Sequence, residues 1–291
     1  MDIVRFSGGL GNQMFQFAFM EALRSRGRDV KGSLGFYKKH PDSMPFTLCS
    51  VFRDLNIDLV EDSTFDEIDE RWKELKRQGV PDEYYRNYPE KFFWVEDISK
   101  DPCTYHPEVF RTKNCIFVGY WQTEKYFYEI KDRLTKCFCF KQINSELQSL
   151  ADTISKGKFA SVHVRRGDYL SNAEAYMGIC TIDYYKRAIE YLKKREAGIK
   201  FIFFSDDMEW VKQKIYMPEA VYCHKELFDS YEDWYDIFLM SKCRHNIIAN
   251  SSFSWWGAWL NQNTTKIVIA PDRWLGYADT NDIWCDGWIR L

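Results

Sequence analysis

Short apolar runs alternate with amphipathic segments through the second half of the chain. The runs have the length of strands and lie at 159–164, 200–204, 220–222, 246–249 and 266–270. The segments between them carry apolar residues at helical spacing and lie at 181–196, 208–215, 231–242 and 253–261. Strands and helices that alternate in this way form a parallel sheet covered by helices on both faces. The pattern therefore predicts an α/β domain over residues 141–291, opening with a helix that ends near residue 154.

The first half of the chain contains one strand–turn–helix unit and then loses its regular pattern. A strand is predicted at 3–6, a glycine-rich turn at 7–11 and an apolar helix at 12–26. The region 31–107 is irregular and polar, and it is followed by a second strand. The further predicted elements are a helix at 66–78, a strand at 115–118 and a helix at 124–136. We interpret residues 1–140 as a second α/β domain with a long insertion, because single cores stop growing at roughly 250–300 residues.

Composition narrows the classes of partner. The chain has 11 Trp and 18% aromatic residues, more than packing requires, which indicates stacking against a carbohydrate or a base. Its net charge of -3 and pI near 6.0 argue against the broad basic surface that nucleic-acid-binding proteins need. Any phosphate site should therefore be local, and no nucleic-acid partner is expected.

Cysteine usage and hydropathy bear on location. The nine cysteines include no C-x-x-C pair, so we interpret them as reduced thiols in a reducing compartment. The longest apolar runs have the length of strands, far below the roughly 18 residues of a membrane helix, so no transmembrane segment is expected. The chain opens without a basic and apolar leader, as a cytoplasmic protein would.

The predicted strand at 159–164 ends in a basic motif, His163-Val164-Arg165-Arg166-Gly167-Asp168. Side chains alternate along a strand, so His163 and Arg165 should face away from the valines. Two guanidiniums at a strand tip favour an anionic ligand, and arginine is suited to bidentate contact with a diphosphate. The alternative is that the two arginines pair with local carboxylates such as Asp168.

A pair of carboxylates follows the next strand. Ser205-Asp206-Asp207 comes directly after the run at 200–204. Carboxylates there can hydrogen-bond a ribose or a guanine, bind a divalent metal, or cap the following helix. No further cluster of metal-ligating residues accompanies them, so no metal site is predicted. Capping by Ser205 or Asp206 is the alternative to ligand contact.

A serine-rich segment, Asn250-Ser251-Ser252-Phe253, follows the strand at 246–249 and opens a helix. Free amides and the positive dipole at a helix N-terminus make an anion site, so Ser251 and Ser252 are candidate phosphate ligands. The alternative is that Ser252 is only an N-cap. Core packing is the expected role for at least two of the tryptophans that follow, Trp255, Trp256 and Trp259.

The glycine-rich turn reads Gly8-Gly9-Leu10-Gly11-Asn12-Gln13. It lacks the Lys-Ser/Thr pair of a P-loop and the G-x-G-x-x-G spacing of a dinucleotide site. Asn12 and Gln13 suit hydrogen bonds to sugar hydroxyls or phosphate. A tight turn that Asn12 merely caps is the alternative.

Together the four motifs resemble glycosyltransferase family 11, the α1,2-fucosyltransferases. The resemblance covers nearly the whole chain, through 8–16, 163–169, 205–207 and 250–260. It implies a GT-B architecture, with two facing Rossmann-like α/β domains and the donor bound by the C-terminal one. It also implies that GDP-fucose is the donor, that the fucose anomeric carbon is inverted, and that no metal or other cofactor is required.

The resemblance assigns roles residue by residue. In related fucosyltransferases the second Arg of the basic motif binds the β-phosphate, which here is Arg166. The His of that motif and an Asp after the following strand hold guanine, which implies His163 and either Asp206 or Asp207. Arg165, Ser251, Ser252 and Phe253 complete the implied donor-binding set. Asn12 matches an asparagine that faces the reaction centre, and we place Gln13, Trp121 and Glu124 on the acceptor side.

The general base has three candidates. In the α1,6 enzymes a Glu a few residues beyond the basic motif is the base, which points to Glu174, one position off that spacing. Asp168 lies closer to the motif, and Glu124 belongs to the acceptor domain. The segment 170–180 is expected to be a loop, and an exposed Glu without a role is the alternative for Glu174.

The resemblance to bacterial members implies where the protein works and on what. It implies an acceptor that is a galactose-terminated oligosaccharide or lipid-linked glycan, and a cytoplasmic location, peripheral at the inner membrane. Another GDP-sugar or another fucosyl linkage is the alternative within the same class. A non-catalytic protein that binds a sugar nucleotide or a glycan is the alternative from a different class.

Overall fold

The computed structural model describes residues 1–79, 93–96, 100–141, 143–223 and 225–291. The chain divides into two compact units. The first comprises residues 1–141 together with 280–283, and the second comprises 142–279 together with 284–291. Both are mixed α/β structures built on a parallel sheet, as the sequence predicts.

The first unit contains a four-stranded parallel sheet with the order β2-β1-β4-β3. Its strands are β1 (Asp2–Arg5), β2 (Val30–Ser33), β3 (Phe93–Val95) and β4 (Ile116–Val118). The predicted strands at 3–6 and 115–118 are confirmed as β1 and β4. β2 and β3 lie in the region that is expected to be irregular. The sequence does not predict them because each strand is short and β2 includes Lys31 and Gly32 in place of an apolar alternation.

Helix α1 (Leu10–Arg24) packs almost entirely inside the first unit, which confirms the predicted apolar helix. The helix predicted at 124–136 is wrong in its first half. Two 3₁₀ turns precede the helix Lys131–Cys137, and Phe127 between them has a non-helical φ of -131°. The other helices of this unit are α2 (Gly35–Lys39), α3 (Leu48–Val51), α4 (Asp62–Arg77) and α5 (Lys131–Cys137).

The second unit contains a six-stranded parallel sheet with the order β10-β9-β8-β5-β6-β7. Its strands are β5 (Phe159–Val164), β6 (Lys200–Ser205), β7 (Val221–Cys223), β8 (His245–Ile247), β9 (Val268–Ala270) and β10 (Ile289–Arg290). The predicted alternation of strands and helices is confirmed, and β10 is the strand it missed. The helices are α6 (Ser145–Lys156), α7 (Gly167–Ser171), α8 (Ala173–Tyr176), α9 (Ile182–Arg195), α10 (Met208–Lys214), α11 (Trp234–Lys242) and α12 (Ser252–Trp259).

The core of the second unit orients the basic motif. All six residues of β5 are buried, and Val162 and Val164 belong to the main apolar cluster together with Phe201 and Phe203 of β6. Because side chains alternate along a strand, His163 is turned to the other face of the sheet. The predicted division of faces is confirmed for the valines, which belong to this cluster while His163 does not, and the face of Arg165 stays a prediction.

The predicted boundary requires one correction, because residues 280–283 belong to the first unit. Asp282 accepts a hydrogen bond from the Tyr105 amide at 2.7 Å and pairs with Lys125 at 2.5 Å. Ile283 is completely buried. Contacts between distant parts of the chain place this segment, so no break in local pattern marks it.

Asp236 of α11 is a buried carboxyl within the second unit. Its Oδ1 atom lies 3.9 Å from the Cys223 thiol, and the Tyr231 hydroxyl is a further hydrogen-bond partner. Burial raises the pKa of Asp236 to about 7, because removing a carboxylate from water disfavours its charged form.

The free energy of unfolding is therefore expected to fall as pH rises from about 4 to about 7, because the folded state keeps a proton that the unfolded chain has released. Asp236→Asn should remove this fall. Urea unfolding of both proteins at several pH values checks the prediction, and the difference between them isolates Asp236 from other titrating groups. Parallel pH profiles for the two proteins would contradict it.

Candidate functional site

Three neighbouring strands of the second sheet end in predicted site residues. β5 lies between β6 and β8, and the three lead into Arg165-Arg166, Asp206-Asp207 and Asn250-Ser251-Ser252. The chain runs outward from β5 through β6 and β7, then returns to place β8 on the other side of β5. Strand order therefore reverses between β5 and β8, and such a switch point is where open α/β sheets bind ligands.

Asp206 shapes the turn that carries the two arginines. Its Oδ1 accepts a hydrogen bond from the Arg166 amide at 2.9 Å, and its Oδ2 accepts from the Gly167 amide at 3.0 Å. Oδ2 also pairs with the Arg165 guanidinium at 3.0 Å. A Cβ on Gly167 would lie 2.8 Å from Oδ2, so any side chain at this position would displace the carboxylate. Both carboxylate oxygens of Asp206 are thus engaged in holding the turn.

The Arg166 guanidinium is fixed along one edge only. Its Nε donates to Asp207 Oδ2 at 3.0 Å, and its Cζ lies 4.0 Å from the centre of the Trp210 ring. Among the residues that the structure describes, none takes its two Nη atoms. The predicted pairing of the arginines with carboxylates is therefore present, through Asp206 for Arg165 and Asp207 for Arg166. Within the described part of the chain, it leaves both Nη atoms of Arg166 for an anionic ligand.

Helix α10 is capped by Asp207, which corrects the expectation that Ser205 or Asp206 does so. Asp207 Oδ1 accepts from the Trp210 amide at 3.1 Å. The same aspartate thus stabilises the helix that carries Trp210 and binds the arginine that stacks on Trp210.

His163 is the next-to-last residue of β5 and is 4% exposed. Its ring centre is 5.9 Å from that of Phe253, and its buried Nδ1 has no partner among the described residues. Burial lowers the pKa of His163 to about 3, and the positive charge of Arg165 acts in the same direction. The ring is therefore neutral at physiological pH and can offer one uncharged polar contact to a base.

The N-terminus of α12 lies at the end of β8. Ser251 is the N-cap and accepts from the Phe253 amide at 3.3 Å, so Ser252 is the first helical residue and the N-cap expected at Ser252 is wrong. The other amides of the first turn have no helical carbonyl to bind, and with the positive end of the helix they suit an anion. The prediction that the tryptophans of this helix pack in the core is confirmed, since Trp255, Trp256 and Trp259 are all buried.

The segment after the basic motif is anchored to the rest of the second unit. The Tyr169 hydroxyl donates to the Asn250 carbonyl at 2.7 Å, and the Tyr169 ring stacks on Tyr176 at 4.0 Å. The Gly276 amide donates to the Ala175 carbonyl at 2.8 Å. The segment expected to be a loop therefore contains the short helices α7 and α8, bound to the strand end that carries Ser251.

Two of the base candidates lie in this anchored segment. Glu174 belongs to α8 and its side chain is exposed. A Cβ on Gly276 would lie 2.3 Å from the Glu174 carbonyl oxygen, so the backbone of α8 is held close to that glycine. Asp168 belongs to α7, and its side chain lies outside the described part of the structure. Its predicted role stays a prediction.

In the first unit, Asn12 and Gln13 follow the glycine-rich turn, and their side chains have different surroundings. Gln13 is fully buried and uses all of its hydrogen-bonding capacity: Nε2 donates to the carbonyls of Gly8 and Pro45, and Oε1 accepts from the amides of Thr47 and Leu48. Its predicted place on the acceptor side is therefore wrong. Asn12 is half-buried in the first turn of α1 and does not cap it, because the N-cap position is Gly9.

The other predicted acceptor-side residues also differ in position. Trp121 has no exposed surface and stacks on Phe19 at 4.2 Å, so a direct contact with an acceptor does not fit. Glu124 is half-buried and begins the 3₁₀ turn Glu124–Tyr126. Of this group, Glu124 alone stays a prediction for acceptor contact.

Comparison with known proteins identifies the family. The model of glycosyl transferase family 11 matches residues 1–291. The chain belongs to glycosyltransferase family 11. It is 36% identical to an α-1,2-colitosyltransferase of Escherichia coli over 99% of this chain and 98% of that one. It is 24% identical to human galactoside α-(1,2)-fucosyltransferase 1 over 87% of this chain and 64% of that one.

Solved structures share the fold of this family 11 chain. The fucosyltransferase NodZ from Bradyrhizobium matches with a TM-score of 0.51 and 14% identity, over 88% of this chain and 92% of that one. In the part of the chain that the structure describes, no helix is both long and apolar enough to cross a bilayer. The same described residues contain no group of three side chains placed to hold a metal ion.

Sequence reasoning missed several residues of this glycosyltransferase that contact the predicted site. Trp210 supports Arg166, and its spacing of three residues after Asp207, one helical turn, was the available signal. Tyr169 directly follows the basic motif and ties it to the end of β8. Gln122 hydrogen-bonds Asn12 across 110 residues of sequence, and no local signal predicts that contact.

Proposed function

We propose that the protein transfers L-fucose from GDP-fucose to the 2-hydroxyl of a terminal galactose in a glycan, with inversion at the fucose anomeric carbon. The observation that carries this proposal is the Arg166 guanidinium, held by Asp207 and Trp210 at the switch point of a family 11 sheet, where no described residue takes either of its Nη atoms. The N-terminus of α12 opens at the neighbouring strand end. These features favour a diphosphate leaving group.

The reaction needs charge stabilisation on one side and proton removal on the other. As the bond between the anomeric carbon and the β-phosphate oxygen breaks, negative charge grows on the diphosphate, where Arg166 and the amides around Ser251 and Ser252 can stabilise it. The neutral ring of His163 and the adjacent Phe253 suit an uncharged base such as guanine. The attacking hydroxyl must lose a proton, and we assign that proton to Glu174.

The comparisons support the α1,2 linkage more directly than the donor sugar. The bacterial and human relatives are named for α-1,2 transfer, one of a colitosyl and the other of a fucosyl group. Colitose is L-fucose without its 3-hydroxyl, so the two donors differ by one oxygen. Transfer of colitose is the second candidate, favoured by 36% identity across the full chain.

Turnover assays with GDP-fucose, GDP-colitose and GDP-mannose test the proposal, with a galactoside acceptor and analysis of the product linkage by NMR. We expect transfer from GDP-fucose to the galactose 2-hydroxyl. A site that hydrogen-bonds the 3-hydroxyl should reject GDP-colitose strongly, because its polar group would be left unpaired. Tight GDP binding without turnover of any donor would instead favour a non-catalytic sugar-nucleotide-binding protein.

We also propose that catalysis needs no metal ion, because Arg166 and the start of α12 can offset the charge of the leaving diphosphate. Transfer should therefore proceed at an unchanged rate in excess EDTA after the protein has been treated with chelating resin. Loss of turnover in EDTA that manganese or magnesium restores would overturn this.

The arrangement of the two units and the location of the enzyme belong to the same proposal. Two facing domains of the GT-B type, with the donor bound by the second, would suit transfer to a galactose-terminated oligosaccharide or lipid-linked glycan. A cytoplasmic protein, peripheral at the inner membrane, stays a prediction from the sequence.

A further inference from the structure

The first sheet has a switch point of its own. In the order β2-β1-β4-β3, β1 and β4 are neighbours, and the loops that follow them meet at one edge of the sheet. Asn12 lies at the start of α1 after β1, and Gln122 lies in the loop after β4. Gln122 Nε2 donates to Asn12 Oδ1 at 2.7 Å. The topology therefore joins two amides that are 110 residues apart in sequence.

Gln122 is held at both ends of its amide. Its Oε1 accepts a hydrogen bond from the Cys103 thiol at 3.4 Å. Burial raises the pKa of the Cys103 thiol well above its ordinary value, and the negative charges of Glu96 and Asp282 add to the effect. The thiol thus keeps its proton and acts as a donor. The carbonyl of Gln122 must face Cys103, which turns its NH2 group to Asn12.

The backbone before Gln122 is also fixed. The buried Glu96 carboxylate accepts from the amides of Tyr120 and Trp121 at 2.6 and 3.1 Å. Trp121 has a φ of +57°, unfavourable for a bulky residue, and its buried ring and these bonds hold it there. A Cβ on Gly119 would lie 2.7 Å from Glu96 Cβ, so the loop passes against that residue. Gln122 therefore follows a rigid turn.

These contacts determine which end of the Asn12 amide remains available. Its Oδ1 is occupied by Gln122, and its Nδ2 lies over Gly8, where an added Cβ would come within 2.6 Å. No acceptor among the described residues takes Nδ2. The half-buried Asn12 thus presents N–H donors rather than a carbonyl oxygen.

We propose that Gln122 is a positioning residue that holds Asn12 as a hydrogen-bond donor to an oxygen of the sugar substrates. A fixed NH2 group can bind a lone pair or stabilise negative charge that develops on oxygen, but it cannot take a proton. Asn12 therefore binds and orients, and the base is another residue. This inference rests on the proposed function, because it supposes that substrate reaches Asn12.

Two substitutions of Gln122 test the proposal. In Gln122→Glu, the carboxylate only accepts, so Asn12 must turn its NH2 group inward and present its carbonyl oxygen. We expect kcat to fall by about 100-fold, the usual loss for one preorganised donor, with the donor KM changed only a few-fold. Gln122→Met removes the bond without reversing it, and we expect a loss of about 10-fold. A purely structural role would favour Glu over Met, since Glu is closer in shape and polarity.

A cycle with Asn12→Ala provides the control. In the Asn12→Ala background, Gln122→Glu should change kcat less than about twofold, because the amide it reorients is absent. An equal loss in both backgrounds, or a Gln122→Glu variant as active as wild type, would overturn the proposal.

A second cycle needs no turnover. The Tm shifts of Asn12→Ala and Gln122→Met should sum to more than the shift of the double variant, because the hydrogen bond can be lost only once. Additive shifts would show that the pair is not formed. Wild-type turnover tests the proposed function, so failure of that function and failure of this inference are distinguishable.

Discussion

Arg166→Ala is expected to lower kcat by about 100- to 1000-fold in a protein that remains folded, since one donor to developing charge contributes roughly 3–4 kcal/mol. The side chain is 25% exposed and lies outside the main apolar cluster of the second unit, so its removal should cost the contacts with Asp207 and Trp210 but not the fold. The loss should appear in kcat more than in the acceptor KM, because the charge on the diphosphate grows only as the bond to fucose breaks. Steady-state kinetics with GDP-fucose and a galactoside measure it.

Two further variants serve as controls for Arg166→Ala. Arg187→Ala removes an equally charged but exposed side chain of α9, which pairs with Asp183, and should leave kcat unchanged. Arg166→Lys keeps the charge but loses the planar fork, so it should recover only part of the rate. Turnover of Arg166→Ala within a few-fold of wild type, with a normal melting temperature, would show that Arg166 does not carry the leaving-group charge.

Glu174→Gln is expected to lower transfer to galactosides by about 100- to 10,000-fold, the range that general-base catalysis contributes. GDP affinity should stay near that of wild type, because the substitution keeps the shape of the side chain and leaves the Arg166 and Ser251 contacts intact. The anchoring of α8 at Gly276 holds the backbone that carries this carboxylate. Turnover and GDP binding by calorimetry, measured on the same preparation, separate the two effects.

Glu190→Gln is the matched control, since Glu190 is an exposed glutamate of α9 that pairs with Lys193. Asp168→Asn and Glu124→Gln complete the set of candidates. A Glu174→Gln variant with full activity would move the base to whichever of these two variants loses transfer. It would also leave Glu174 as an exposed residue without a catalytic role.

The second unit is largely predictable because its strands and helices repeat a regular pattern. Its apolar runs are short and evenly spaced, and they correspond to β5 through β9 within a few residues. The first unit is less predictable from the sequence. β2 contains Lys31 and Gly32, so its side chains do not alternate between apolar and polar. It pairs with β1 through backbone hydrogen bonds, which leave no such pattern in the sequence.

The candidate site is also predictable from the sequence only in part. The strand ends that carry Arg166, Asp206 and Ser251 follow from pattern and motif, but which carboxylate oxygen meets which donor depends on the turn itself. Asn12 and Gln13 look alike in sequence, yet one helical step of about 100° turns Gln13 into the core and leaves Asn12 at the rim. The partner of Asn12 comes from a strand that is distant in sequence, and only sheet order brings it near.

The segment 280–283 has a consequence for how such enzymes can be recombined. The first unit is completed by residues from near the end of the chain, through the Asp282 contacts with Tyr105 and Lys125. A chimera joined by a single crossover at residue 141 would combine one parent's first unit with the other parent's closing segment. Exchange of specificity between relatives of this fold therefore requires two further crossovers, one before and one after 280–283. The closing segment is then inherited with the unit that it completes.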